Sequence, residues 1–282
     1  MILPDRTSLV DIHSHLVPAV DDGARNVQAV IDSIERLTLS GIRRVVTTPH
    51  IRASLTLEPT GLEARLAQVD EAFATAAAAL REHYPEVEYR RGHEVMVDVP
   101  EADFSDPRLR LAGTSFVLVE WPRLHIPPGT PRVLRWIRDQ GYIPVIAHPE
   151  RYTGMSENKA MVQHWRDAGA YLQVNYGSFL GRYGAAAQTV AFEILEAGHA
   201  DYLASDFHGH ASLKIYKDEA WELLKEREPG DLLETLCRAN PSRLIEDLEP
   251  LPVAPLLPAP GIIGRLRGAI RRRDRAPEGS AG

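Results

Sequence analysis

Imidazoles and carboxylates recur at one kind of place in this chain, the end of a short β-branched run. The first run ends in Asp11-Ile12-His13-Ser14-His15. The period of two of a strand puts His13 and His15 on one side, where they can share a metal. Asp21-Asp22-Gly23 follows in the adjoining loop, and a second run ends in Thr47-Thr48-Pro49-His50. Glu94 follows a third at Gly92-His93-Glu94, and Glu120 closes Leu118-Val119-Glu120-Trp121. His148 and Arg151 lie in Ala147-His148-Pro149-Glu150-Arg151, and Asp206 and His208 in Ser205-Asp206-Phe207-His208. Taken singly, each reads as a loop cap or a surface residue. Together they are eight or nine N and O donors, more than one ion uses, and they predict a cluster of two or three ions bridged by carboxylates such as Glu94.

The elements that must position these residues alternate. Strand-like runs at Leu9–Ile12, Arg44–Thr48, Phe116–Glu120, Tyr142–Ala147, Tyr171–Val174 and Tyr202–Ala204 are separated by longer amphipathic stretches. Helices are predicted at Val27–Leu39, Leu62–Arg81, Pro131–Gln140, Lys159–Ala168, Ala185–Ala197, Leu213–Lys225 and Leu232–Arg238. Several end at Gly41, Gly141, Gly169 or Gly198, where a left-handed cap is wanted. Such a βα rhythm gives an α/β fold with a parallel sheet, either an open doubly wound sheet or a barrel. The polar residues gather at one end of the strands, which favours a closed barrel with its site at the C-terminal strand ends.

Composition bounds the rest. A chain of 282 residues with 44% hydrophobic and 25% charged residues can bury one large core. Cys237 is the sole cysteine, so no intrachain disulfide or cysteine-rich zinc module exists, and any metal must sit on His and carboxylates. The formal charge of −7 divides into a body of about −11 and an end, from Gly261 onward, where six Arg face only Asp274 and Glu278. An acidic body argues against a nucleic-acid partner. Charge appears within the first six residues and no apolar run reaches membrane-span length, so a cytoplasmic location is expected. Beyond Glu249 the prolines Pro250, Pro252, Pro255, Pro258 and Pro260 break any helix, so residues 1–249 are read as the folded unit and 250–282 as a Pro-rich then Arg-rich flexible tail. Ile262–Ile270 could form a basic amphipathic helix in contact with an anionic membrane surface, against the blander reading of a solvated end.

The order of the motifs resembles the polymerase and histidinol phosphatase (PHP) superfamily over about residues 8 to 245. Within it, Asp-Ile-His-Ser-His, Asp-Asp-Gly, Thr-Pro-His, Gly-x-Glu, His-Pro-Glu-Arg-Tyr and Ser-Asp-x-His are similar to the manganese-dependent protein-tyrosine phosphatases of bacterial capsule and exopolysaccharide systems. The resemblance implies a distorted seven-stranded, TIM-like (βα)7 barrel and two or three Mn2+ ions, with iron or zinc compatible with the same donors. It implies one metal on His13, His15, Glu94 and Asp206, a second on Glu94, Glu120 and His148, and a third on Asp22, His50 and His208. Arg151 would contact the phosphate. The implied chemistry is hydrolysis of phosphotyrosine by a metal-activated hydroxide, with Glu150 or water as candidates to assist the leaving oxygen. The implied partner is the tyrosine-rich tail of a membrane-associated bacterial tyrosine kinase. Two positions depart from the family pattern: Ile51 where a second His often follows Thr-Pro-His, and His93 where Gln often precedes the bridging Glu.

Other readings stay open at this stage. The same barrel could serve a small phosphomonoester such as histidinol phosphate, a phosphodiester, or no reaction at all. Cys237 to Arg243 has the C-x5-R spacing of thiol-based tyrosine phosphatases. It lacks their glycine-rich phosphate loop, and Cys237 ends an amphipathic run before Asn240-Pro241, which reads as the cap and first turn of another helix. A buried structural thiol is expected instead.

Overall fold

The computed structural model describes residues 8–259. The Arg-rich end, with its expected helix at Ile262–Ile270, lies outside the described residues. Strands and helices follow in the order β1 (Leu9–Asp11), α1 (Val27–Leu39), β2 (Ile42–Thr47), β3 (His50–Arg52), α2 (Pro59–His83), β4 (Glu88–Arg91), β5 (Glu94–Met96) and β6 (Phe116–Glu120). There follow α3 (Thr130–Asp139), β7 (Ile143–Ala147), α4 (Ala160–Asp167), β8 (Tyr171–Asn175), α5 (Ala185–Glu196), β9 (Tyr202–Ala204) and α6 (Lys217–Lys225). The last helical stretch is α7 (Leu232–Glu234), a π-helical turn at Thr235–Ala239 and α8 (Asn240–Ile245). Helix α1 starts where Asn26 accepts the Ala29 N–H and ends before Gly41, whose φ of +82° only glycine takes without strain.

The strands are all parallel and pair in the orders β1-β2-β4 and β3-β5-β6-β7-β8-β9. β2 and β3 are halves of one barrel strand, interrupted at Thr48-Pro49, where proline offers no N–H to the ladder. β4 and β5 are likewise halves of one strand, interrupted at Gly92-His93. A Cβ on Gly92 would lie 2.8 Å from the Arg110 carbonyl oxygen, so the turn packed there requires glycine. The nine described segments thus make seven barrel strands. Closure comes beyond β1 and β9, where Ser14 bridges Phe207, the His15 N–H donates to Phe207 O at 2.8 Å and the Asp206 N–H donates to His13 O at 2.9 Å. The ring is the distorted βα barrel that the sequence implies.

Two apolar layers hold it. Inside, Val10, Val46, Leu118, Val145 and Ala204 fill the barrel, and Leu244 and Ile245 of α8 join Phe116 and Tyr202 to close the N-terminal end. Outside, alternate residues such as Val117, Val119, Ile146, Leu172 and Leu203 meet the helices. One end is therefore plugged, and the site has only the other.

Three expectations are corrected. Leu213–Lys225 is helical only from Lys217. Asn240 does not cap a new helix: its φ of −65° and ψ of −46° continue the preceding one, and its side chain bonds Asp201 O and Leu251 instead. The wider π turn before it accommodates the amide hydrogen that Pro241 lacks. Finally, residues 250–259 are not a free tail. Leu256 is 2% exposed within the outer core, and its N–H donates to Leu195 O at 2.9 Å. Leu256→Ala should therefore cost about 2–4 kcal/mol and lower the melting temperature by several degrees. A thermal melt matching the parent would restore the tail reading. Among the described residues no helix is long and apolar enough to cross a membrane.

Candidate metal centre

The C-terminal strand ends bring the nine expected donors together. His13 and His15 follow β1, and their Nε2 atoms face each other at 3.3 Å. The second nitrogen of each ring is already committed. His13 Nδ1 lies 2.8 Å from Gln173 Oε1, and that amide's own nitrogen donates to Asn175 Oδ1. His15 Nδ1 lies 2.9 Å from Asp21 Oδ2. Each ring thus donates from Nδ1 and turns Nε2 inward, the atom that binds a metal when the imidazole is neutral. Burial alone would raise the Asp21 carboxyl, but the His15 hydrogen bond overrides it and lowers the pKa to about 2. The turn that places Asp21 needs glycine next to it, because a Cβ on Gly23 would lie 2.1 Å from His15 O.

Glu94, at the start of β5, is 1% exposed and sits at the hub. Its Oε2 lies 3.2 Å from His13 Nε2, 3.3 Å from His15 Nε2 and 3.2 Å from His50 Nδ1, while its Oε1 lies 2.9 Å from His148 Nε2. His50 Nδ1 also faces Glu120 Oε1 at 3.3 Å, and its Nε2 faces Asp22 Oδ1 at 3.5 Å. His208 Nε2 stands 3.6 Å from the same Asp22 oxygen and stacks on His15 with centroids 4.1 Å apart. Asp206 Oδ1 is 3.5 Å from both His13 and His15. His148 and Asp206 hold left-handed backbones, φ +34° and +50°, a cost concentrated where side chains must be aimed.

Three groups have donor atoms within 4.8 Å of one another: His13, His15 and Glu94; His50, Glu94 and Glu120; and His15, Asp22, His50 and His208. Glu94, His50 and His15 each belong to two groups, as a polynuclear centre requires. The grouping differs in detail from that implied by the resemblance, since His50 rather than His148 joins Glu94 and Glu120. The buried atoms Glu94 Oε2, His50 Nδ1 and His148 Nδ1 find no hydrogen-bond partner among the described residues. Buried polar groups are rarely left so, and imidazole lone pairs converging on carboxylates fit divalent cations of the Mn, Fe or Zn type.

Arg151 ends the 3-10 turn Pro149–Arg151, with Nη1 2.5 Å from Asp206 Oδ2 and its guanidinium 4.4 Å from the Tyr183 ring centroid. Its side chain is 22% exposed. Glu150 is engaged away from the mouth, where its Oε1 accepts from the Asn175 N–H at 3.0 Å and from Ser178 Oγ at 2.6 Å and so holds β8. His93 turns Nδ1 to Arg108 O at 2.8 Å, and burial lowers its pKa to about 4, so it is a neutral prop for the neighbouring loop. Ile51 points into the outer core.

Cys237 lies in the π turn, fully buried, with its thiol pushed up to about 12 by burial. Arg243, six residues on, donates to Glu249 O at 2.6 Å. No thiolate nucleophile is built here. Cys237→Ser should keep metal-dependent activity within about threefold while costing about 1–2 kcal/mol of stability for the buried hydroxyl. Loss of activity with an intact fold would contradict this.

The sequence profile of the capsular polysaccharide synthesis family CpsB/CapC matches residues 9–246. The tyrosine-protein phosphatase YwqE of Bacillus subtilis is 30% identical over 240 residues, which are 85% of this chain and 92% of that protein. The tyrosine-protein phosphatase CpsB of Streptococcus pneumoniae is 26% identical over 251 residues, 85% of this chain and 99% of that one. A crystal structure from a study of those two proteins, described as metal-dependent tyrosine phosphatases, superposes with a TM-score of 0.74 at 26% identity, covering 89% of this chain and 99% of the other. The phosphotriesterase homology protein of Escherichia coli shares the fold at 13% identity and a TM-score of 0.51.

Proposed function

The chain belongs to the CpsB/CapC family of capsular polysaccharide synthesis, and from that premise we infer that it is a metal-dependent protein-tyrosine phosphatase. We propose that His13, His15, Asp22, His50, Glu94, Glu120, His148, Asp206 and His208 hold two or three ions, Mn2+ in the cell. The observation that carries this reading is the pair of facing Nε2 atoms on His13 and His15, each fixed by an Nδ1 hydrogen bond, over the buried Glu94 carboxylate. Ions bound there would supply a water acidic enough to lose its proton near neutral pH and would offset phosphoryl charge.

The chain's own groups do the rest. Gln173 and Asp21 each accept from an Nδ1–H, so the neutral imidazoles present Nε2 as the liganding atom. Arg151 offers a planar fork of donors to the phosphate oxygens, braced by Asp206 and Tyr183. The substrate we propose is phosphotyrosine in the tyrosine-rich tail of a membrane-associated bacterial kinase, which places the enzyme in the cytoplasm. A phenolate leaves more readily than an alkoxide, so this substrate makes the least demand for a general acid.

The test is phosphate release from phosphotyrosine peptide, phosphoserine peptide and histidinol phosphate after chelation and after restoring Mn2+, Fe2+ or Zn2+. Activity that vanishes on chelation, returns best with Mn2+ and favours the phosphotyrosine peptide by about tenfold or more is expected. Preference for histidinol phosphate would leave the centre standing and replace the substrate.

A further inference from the structure

One row above the strand-end donors, the barrel wall carries a cation that no described residue neutralises. In register across three strands, His50 pairs with Glu94, and two residues on Arg52 pairs with Met96, which pairs with Glu120. The strand period puts Arg52 on the same face as His50, roughly 7 Å nearer the mouth and roughly 10 Å across from Glu120. Arg52 is exposed and makes no hydrogen bond or ion pair with any described residue. Beside it, Arg65 of α2 is held by uncharged acceptors, donating to Val20 O at 2.8 Å, to His50 O at 3.2 Å and to Gln68 Oε1 at 2.9 Å. No carboxylate stands within ion-pair distance of it among the described residues. The two arginines share with Leu55, Met96 and Glu120 a cavity of about 430 Å3 that opens against His50.

Two cationic side chains thus stand beside the strand-end donors on a body of net charge about −11. Several other arginines are paired, Arg44 with Glu88, Arg91 with Asp70, Arg108 with Asp106 and Glu63, and Arg166 with Asp201, whereas Arg36, like Arg65, donates to backbone carbonyls. Glu120, the one carboxylate in the cavity, faces His50 instead and is assigned to the ions. We propose that this cavity is the subsite for an acidic residue flanking the phosphotyrosine, with Arg52 as its specificity-determining group and Arg65 as a fixed second charge. A phosphotyrosine side chain that sets its phosphate among the strand-end donors leaves its own backbone at the mouth, level with Arg52. An adjacent Glu then lays its methylenes on Leu55 and Met96 and its carboxylate against the guanidinium. The inference rests on the phosphatase reading, and it deepens that reading from phosphotyrosine to phosphotyrosine in an acidic context.

The experiment compares phosphotyrosine peptides identical except for Glu or Lys at the positions flanking phosphotyrosine, in wild type, Arg52→Ala and Arg52→Glu. The quantity read is the ratio of kcat/KM for the Glu peptide over the Lys peptide, from which any general loss of activity cancels. In wild type the ratio should be about ten at low ionic strength, carried mainly by KM, and should shrink with added salt. Arg52→Ala should bring it towards one, and Arg52→Glu should invert it. Wild type that hydrolyses both peptides equally overturns the subsite while the phosphatase stands. A ratio that survives Arg52→Glu overturns it too, because the preference then arises elsewhere. Failure to hydrolyse either peptide, with metal restored, removes the phosphatase reading and this inference with it.

Discussion

Glu94→Gln is expected to lower phosphotyrosine hydrolysis by about a thousandfold or more and to strip bound metal from the purified protein. The amide keeps the shape of the carboxylate and removes its charge. That charge is what four imidazoles share, at 3.2, 3.3 and 3.2 Å on one oxygen and 2.9 Å on the other. Burial alone would raise the Glu94 pKa, and His13 with its neighbours drives it well below the carboxylate range, so it is ionised wherever the enzyme works. An isosteric Gln at this hub weakens every ion that shares it. Metal content by elemental analysis, read beside a far-ultraviolet spectrum, separates a lost centre from a lost fold. Full metal occupancy with activity within about tenfold of the parent would sink the assignment of Glu94 as the bridge.

Most of the donors were legible because they fall at or just after the ends of β-branched runs, and the C-terminal strand ends are where a βα barrel gathers its chemistry. Phe116–Glu120 and Tyr202–Ala204 stand where the pattern put them. The run β4, Glu88-Tyr89-Arg90-Arg91, carries three charges in four residues and offers no apolar alternation, so its pairing with β2 is set by tertiary context. Arg44 there is answered by Glu88 across the ladder at 2.7 Å, a pairing that periodicity cannot register. The hold on residues 250–259 was hidden for a similar reason: four prolines forbid a helix, but they do not forbid an extended strap whose Leu256 fills a gap by α5.

What sequence reading missed at the site is the layer behind the donors. Gln173 and Asn175 alternate with Leu172 and Val174 in a strand that is buried on both faces. Buried amides on the inward face of a parallel strand need partners, and that was a usable signal. Asp11 gives another: it is fully buried, accepts from the Ser205 N–H at 3.0 Å and ties β1 to β9. The residue types announced a metal cluster, whereas the hydrogen bonds that orient it join residues up to 194 positions apart.

Arg151→Ala should lower kcat/KM for phosphotyrosine by about 100- to 1,000-fold, and Arg151→Lys should recover little of it. The planar fork can contact two phosphoryl oxygens at once, and a lysine point charge on a freer stem cannot. The position of Arg151 makes the outcome ambiguous unless metal is measured with it, since Nη1 is 2.5 Å from Asp206 Oδ2, and Asp206 Oδ1 faces His13 and His15. Two roles are therefore in competition, holding the phosphate and holding a ligand. Asn175 Nδ2 already donates to the same Asp206 oxygen at 2.8 Å, so the carboxylate stays anchored when the guanidinium is gone. Metal content should accordingly persist in Arg151→Ala while inhibition by inorganic phosphate weakens in step with catalysis. If metal fell together with activity, Arg151 would be a brace for Asp206, and the phosphate would need another partner in the mouth.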